Sequence, residues 1–182
     1  MKKLFFAGII FLAACAPSVY MLPITPIKQE QPRWCWAASI EMAVQVYGYE
    51  AKQCDILNFN LGQNSCCKNP EKCNLPAAPN EIVDVLQNRF GLMAVARRGA
   101  LPMFLVKHKI SKEESFLMIV RDRREGTKTR HVLVAVGYID NKMMVVDPWD
   151  ASVSVMPYES FFNKTFEWQW EDTVVIEGGL NE

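Results

Sequence analysis

Three side chains in this sequence could do covalent chemistry together: a cysteine, a histidine and an aspartate. Cys35 lies between two tryptophans in Gln29-Glu30-Gln31-Pro32-Arg33-Trp34-Cys35-Trp36, where a run with helical spacing begins. A cysteine attacks as its thiolate, and the unpaired N–H groups of a helix N-terminus favour that charge. Such a nucleophile needs a base, and the chain has two histidines. His108 sits among lysines in Val106-Lys107-His108-Lys109, which disfavour its charged form, so it reads as a surface residue. His131 opens an apolar run directly after a polar loop and is the candidate partner. The base in turn needs an acceptor to orient its second ring nitrogen. Asp147 ends the next apolar run, in Val145-Val146-Asp147-Pro148-Trp149. In an antiparallel hairpin the start of one strand lies beside the end of the next, so His131 and Asp147 can be neighbours.

These residues need elements to hold them. Trp36, Ile40, Ala43, Val44 and Tyr47 recur at helical spacing after Cys35, and Gly48 is a good terminator. A polar, cysteine-rich loop is expected over 52–78. Asn80 is the expected cap of a second helix carrying Ile82, Val83, Leu86 and Phe90 and closed by Gly91. A short third helix is expected near 102–109. Beyond it, 115–122, 131–139 and 142–148 are apolar and rich in β-branched residues, which predicts strands. The 124–130 segment reads as a hairpin loop and Asp140-Asn141 as a tight turn. Further strands are expected over 152–157 and 172–177, with Phe166–Asp172 alternating as an edge strand would. Helices first and antiparallel strands afterwards predict an α+β domain of two lobes.

At 182 residues, with 50% apolar and 11% aromatic side chains, the chain is one domain long and can bury a sizeable core. Its formal net charge is zero, which gives no broad field to recruit nucleic acid or an anionic membrane. Lys2 and Lys3, the apolar run Leu4–Leu12 and the small residues Ala13-Ala14 form an export signal too short to span a bilayer. Leu12-Ala13-Ala14-Cys15 has the form of a bacterial lipobox, so residues 1–15 are expected to be a lipoprotein signal with Cys15 lipidated. Ordinary signal cleavage after Ala16 is the alternative and would give a freely secreted protein. The membrane is therefore expected only through this anchor, facing the periplasm or the cell surface. Removing the signal leaves 18 basic against 20 acidic side chains. Residues 16–28, rich in proline, read as a tether to a domain spanning 29–182.

Export changes the reading of the cysteines, because disulfides persist outside the cytoplasm. Cys54, Cys66, Cys67 and Cys73 form a cluster of four, enough for two bridges. A bond between the adjacent Cys66 and Cys67 is strained, which leaves two connectivities open. Zinc is disfavoured because the cluster holds no C-x-x-C pair, and neither metal nor cofactor is expected. Cys35 is left over, and an odd thiol in an exported protein needs a reason.

Gln29…Cys35-Trp36, His131…Gly137-Tyr138 and Asp147-Pro148-Trp149 resemble, in order, the three signature blocks of the papain-like cysteine peptidases. The chain is most similar to a compact bacterial branch, with Trp-Cys-Trp-Ala-Ala at the nucleophile and a later Cys66-Cys67…Cys73-Asn74. The resemblance implies Cys35 as nucleophile, His131 as general base and then acid, and Asp147 as the group that orients the imidazole. It implies that Gln29 donates a side-chain N–H to the oxyanion, beside the backbone N–H of Cys35. Trp36 and Trp149 would lie at the substrate site, Trp149 shielding the His131–Asp147 contact. Two features depart from the pattern. Pro32 stands where a cysteine is usual, and the 96 residues from Cys35 to His131 fall short of the roughly 130–150 of papain and cathepsins.

The expected activity is hydrolysis of peptide bonds in a peptide or protein substrate, through an acyl-enzyme on Cys35. Two alternatives differ in outcome. A transglutaminase-like acyltransferase would use the same three residues with an amine in place of water. A cysteine-stapled envelope binding module would keep the fold without turnover.

Overall fold

The computed structural model describes residues 17–123, 129–163 and 166–179 of the 182. Its first helix, α1 (Cys35–Ala43), buries Trp36, Ile40 and Met42 and runs into a 3₁₀ turn, Val44–Tyr47. Gly48 ends it at φ +78°, a left-handed conformation that costs glycine nothing because it lacks a Cβ. A second helix, α2 (Gln53–Leu61), forms inside the stretch expected to be loop. It buries little more than Ile56 and Leu57, too short a stripe to stand out from its polar residues. Helix α3 (Pro79–Phe90) starts one residue before the expected Asn80 cap. Pro79 supplies a pre-set φ at the first helical position, and the Glu81 carboxylate accepts the Ala78 N–H at 2.6 Å.

The strands are β1 (Val19–Met21), β2 (Leu92–Arg98), β3 (Phe116–Asp122), β4 (Arg130–Ile139), β5 (Lys142–Asp147), β6 (Ser152–Pro157) and β7 (Trp168–Gly179). A fourth helix, α4 (Met103–Ser111), follows β2. All seven strands join one antiparallel sheet in the order β2-β7-β3-β4-β5-β6, with β1 also paired to β4. The sheet has a core on each face. Leu117, Ile119, Val134, Val146 and Val174 pack with α1, α2 and α3. Phe116, Met118, Val120, Leu133 and Val145 pack with α4, Phe161 and Trp170 on the other side. Strand β3 is almost continuously apolar because both its faces are covered. The expected α+β class with an antiparallel sheet holds. The strand β2, with four of its seven residues exposed, is not among the expected elements.

Residues 17–28 do not form the free tether that their prolines suggested. Val19, Tyr20 and Met21 pair with Ile139, Tyr138 and Gly137, and the Leu22 N–H donates to Val136 O at 2.7 Å. Leu22 is 1% exposed. Proline favours extended backbone, and extended backbone is what an open strand edge can pair with. Gly137 makes room for it: a Cβ there would lie 2.5 Å from the Tyr20 carbonyl oxygen. Over Trp168–Trp170 the expected edge strand pairs on one side only, with β3, although Trp168 and Trp170 are buried. From Asp172 onward β7 is flanked by β2 as well as β3.

The cysteine cluster forms Cys54–Cys67 and Cys66–Cys73, one of the two connectivities left open by the sequence. Cys15 and most of the 124–130 loop lie outside the described residues. Among the described residues, no helix is long and apolar enough to cross a membrane.

Candidate active site

Cys35 is the first residue of α1. Its N-cap, Trp34, makes no side-chain capping bond, and no acidic residue sits in the first turn. The leading N–H groups of the helix, that of Cys35 included, therefore have no partner within it. The two flanking tryptophans point elsewhere: Trp34 and Trp36 are 0% and 1% exposed and belong to the core under the sheet. Trp36 is thus a core residue, not the wall of a substrate site that the motif implied. A residue one step from Cys35 on the helix faces a different side, and here that side is the interior. Cys35 itself is half-buried and is the free cysteine of the described residues.

His131 comes from the start of β4 and Asp147 from the end of β5. Val134 pairs with Val146, which sets Asp147 across from Leu133, two residues from His131 and on the same side of the hairpin. His131 Nε2 lies 2.6 Å from Asp147 Oδ1, and both side chains are buried. The same carboxylate oxygen accepts the Trp149 N–H at 2.8 Å. With Nε2 engaged, Nδ1 is the ring nitrogen left for the sulfur. Burial alone would pull the imidazole's pKa down. The hydrogen bonds to Asp147 and to Cys35, with the charge on each, override this and raise it from 6.5 to about 9.

Cys35 and His131 line one cleft of about 690 Å³. Trp149, Arg33, Pro76 and Arg130 are further walls. The Trp149 side chain is half exposed there, whereas His108 is exposed on α4, away from the cleft. A backbone bond, Gln29 N–H to Pro148 O at 2.7 Å, ties the chain before α1 to the residue after Asp147.

Gln29 is 7% exposed, and its side chain is turned toward the loop in front of Cys35. Its amide nitrogen donates to Gln31 O at 2.8 Å and to Pro32 O at 2.9 Å, so both hydrogens are taken. Its Oε1 is buried with no hydrogen-bond partner among the described residues. In this structure, then, the amide braces the loop and is not a wall of the Cys35 cleft.

Sequence reasoning missed Arg33 as a wall and read Arg130 as part of a solvated hairpin loop. Arg130 is paired to Glu171 and Asp172, while Arg33 is exposed with no ion-pair partner among the described residues. Their only signal was proximity in sequence to Cys35 and His131. It also missed residues 73–75, which reach the Cys35 segment from some forty positions away.

A helix that opens on a free thiol, set against a strand hairpin that supplies an imidazole and a carboxylate, defines a papain-like cysteine peptidase. The sequence profile of the Peptidase C39 like family matches residues 21–175, and the chain belongs to that family. No curated protein matches the chain. Solved structures share the fold. The peptidase domain of Streptococcus ComA, a bifunctional ABC transporter involved in a quorum-sensing pathway, is 18% identical with a TM-score of 0.59. That match covers 87% of this chain and 98% of the ComA domain. A putative C39-like peptidase from Bacillus anthracis is 14% identical with a TM-score of 0.59, covering 89% and 99% of the two chains. A double-glycine-motif protease from an AMS/PCAT transporter, solved with its leader peptide, is 16% identical with a TM-score of 0.57. It covers 87% of this chain and 94% of its own.

Proposed function

We propose that this cysteine peptidase is an exported bacterial lipoprotein that hydrolyses peptide bonds through Cys35, His131 and Asp147. The observation that carries the reading is one arrangement: the free thiol of α1 shares a cleft with an imidazole whose far nitrogen is 2.6 Å from a buried carboxylate. Cys35 Sγ attacks the scissile carbonyl while His131 carries the proton and then delivers it to the leaving amine. Water, activated by the same imidazole, releases the acyl group from sulfur. Asp147 holds the ring in the working tautomer and offsets its positive charge.

The oxyanion meets the unpaired N–H of Cys35 at the helix start. Gln29 is the proposed second donor, with one amide hydrogen passing from the Pro32 carbonyl to the oxyanion as substrate enters. Catalytic hydrogen bonds commonly tighten only in the complex, and one such donor is typically worth about 3 kcal/mol of transition-state stabilisation. The leader peptide in the double-glycine-motif protease supports a peptide as the occupant of the cleft.

Mass spectrometry of a peptide library incubated with the enzyme is expected to find new amino termini. Ammonia release or transamidated products without new termini would mean that an amine, not water, takes the acyl group. The lipid anchor is tested separately. Cys15→Ser, expressed with its signal, is expected to move the protein from the membrane fraction to the soluble exported fraction. An unchanged membrane fraction would remove Cys15 as the anchor.

A further inference from the structure

The N-terminus of α1 lacks the side-chain cap that usually fixes a helix start, yet the nucleophile is its first residue. Something else has to hold it. Three hydrogen bonds reach the segment around Cys35 from three consecutive residues. The Trp34 indole N–H donates to Cys73 O at 2.9 Å, and the Arg33 backbone N–H donates to Asn74 Oδ1 at 2.8 Å. The Trp36 indole N–H donates to Leu75 O at 3.0 Å. Cys35 is therefore flanked on both sides by residues fastened to the same short strap, while its own side chain is left to the cleft.

The strap is itself fastened. Cys73 is bonded to Cys66, and the neighbouring Cys67 is bonded to Cys54 in α2. The Leu75 N–H closes a tight turn onto Cys73 O at 2.7 Å, and the Cys66 N–H donates to Asn58 Oδ1 at 2.9 Å. Pro76, the next residue along, is already a wall of the cleft. One disulfide thus ends in the strap itself, at Cys73, and the other holds the residue next to its partner Cys66.

We infer that residues 73–75 are a positioning strap for Cys35, with Asn74 a positioning residue and the disulfides the anchor of the strap. The inference rests on the peptidase reading above and deepens it. Nucleophile and base must stay near 3–3.5 Å with the right orientation, and the strap supplies that for the sulfur as the β4–β5 hairpin does for the imidazole. An equally stable fold with a loose strap would bind substrate as before and turn it over slowly.

The test compares the full chain with Asn74→Ala, Asn74→Asp and the double variant Cys66→Ser/Cys73→Ser. It measures kcat, KM, melting temperature and the rate at which iodoacetamide alkylates Cys35 at pH 7. Because a misplacement of 1 Å can cost on the order of 100-fold, kcat is expected to fall about 10-fold in Asn74→Ala and about 100-fold in the double variant. KM stays near wild type, and alkylation slows alongside kcat. Asn74→Asp keeps the acceptor oxygen and should restore most of the rate. An unchanged kcat in Asn74→Ala, a change confined to KM, or equal damage from Asp and Ala would overturn the inference. Should the double variant fail to fold, the Asn74 pair decides alone. Should the wild type cleave no peptide, the peptidase reading fails, and the alkylation rates still report whether the strap controls the thiol.

Discussion

Replacing Cys35 with alanine is expected to leave a folded protein that turns over no substrate. The side chain is half-buried and small, and no disulfide depends on it, so the melting temperature should barely move. The rate, however, loses its covalent route. Removing the nucleophile of a comparable triad costs on the order of 10⁶ in kcat, because the imidazole and the oxyanion donors have nothing to act with. The same variant should lose labelling by thiol-alkylating epoxides, since the other four described cysteines are locked in bridges. Full activity in Cys35→Ala, or undiminished labelling at another site, would sink the peptidase mechanism.

The second large effect is expected at His131 and is read by pH. Its imidazole titrates at about 9 instead of 6.5: burial works against the charged ring, and the bonds to Asp147 and Cys35 overcome it. A raised pKa means that the folded state holds the proton more tightly than the unfolded chain. The stability gained is complete below about 6.5 and is lost as pH rises through about 9. The working thiolate–imidazolium pair shares that upper limit, so kcat/KM should decline as pH passes about 9. Asp147→Ala removes the chief group that raises the value and should shift this basic limb downward. His131→Ala should lower kcat by roughly 10²–10⁴ with little change in KM, the usual range for losing a general acid–base. A basic limb that stays put in Asp147→Ala would break the assigned role of the carboxylate, as would a His131→Ala enzyme of near-normal rate.

Much of the arrangement was legible in the chain because its signals are local. A cysteine ahead of a helical run, a histidine at a strand start and an aspartate at a strand end each announce themselves within a few residues. The antiparallel hairpin rule then brings the last two together. The scarcity of histidines did the rest, leaving one partner for the free thiol. Short or half-polar elements were not legible. Helix α2 buries too narrow a stripe to show a period, and β2 leaves much of its length exposed. Trp36 was misread because a motif says which residue stands next to the cysteine, not which way the helix turns it.

By itself the sequence determined the α+β class, the residues able to form a thiol site and the need for two bridges among four clustered cysteines. Only the tertiary structure decided which cysteines pair, that the proline-rich lead-in becomes a strand, that Gln29 braces a loop, and that residues 73–75 grip both sides of Cys35. The division has a physical cause. Periodicity, caps and turns are encoded by neighbours a few residues apart. Contacts between residues some forty or a hundred positions apart depend on the path of the whole chain, and leave no local trace in the order of its residues.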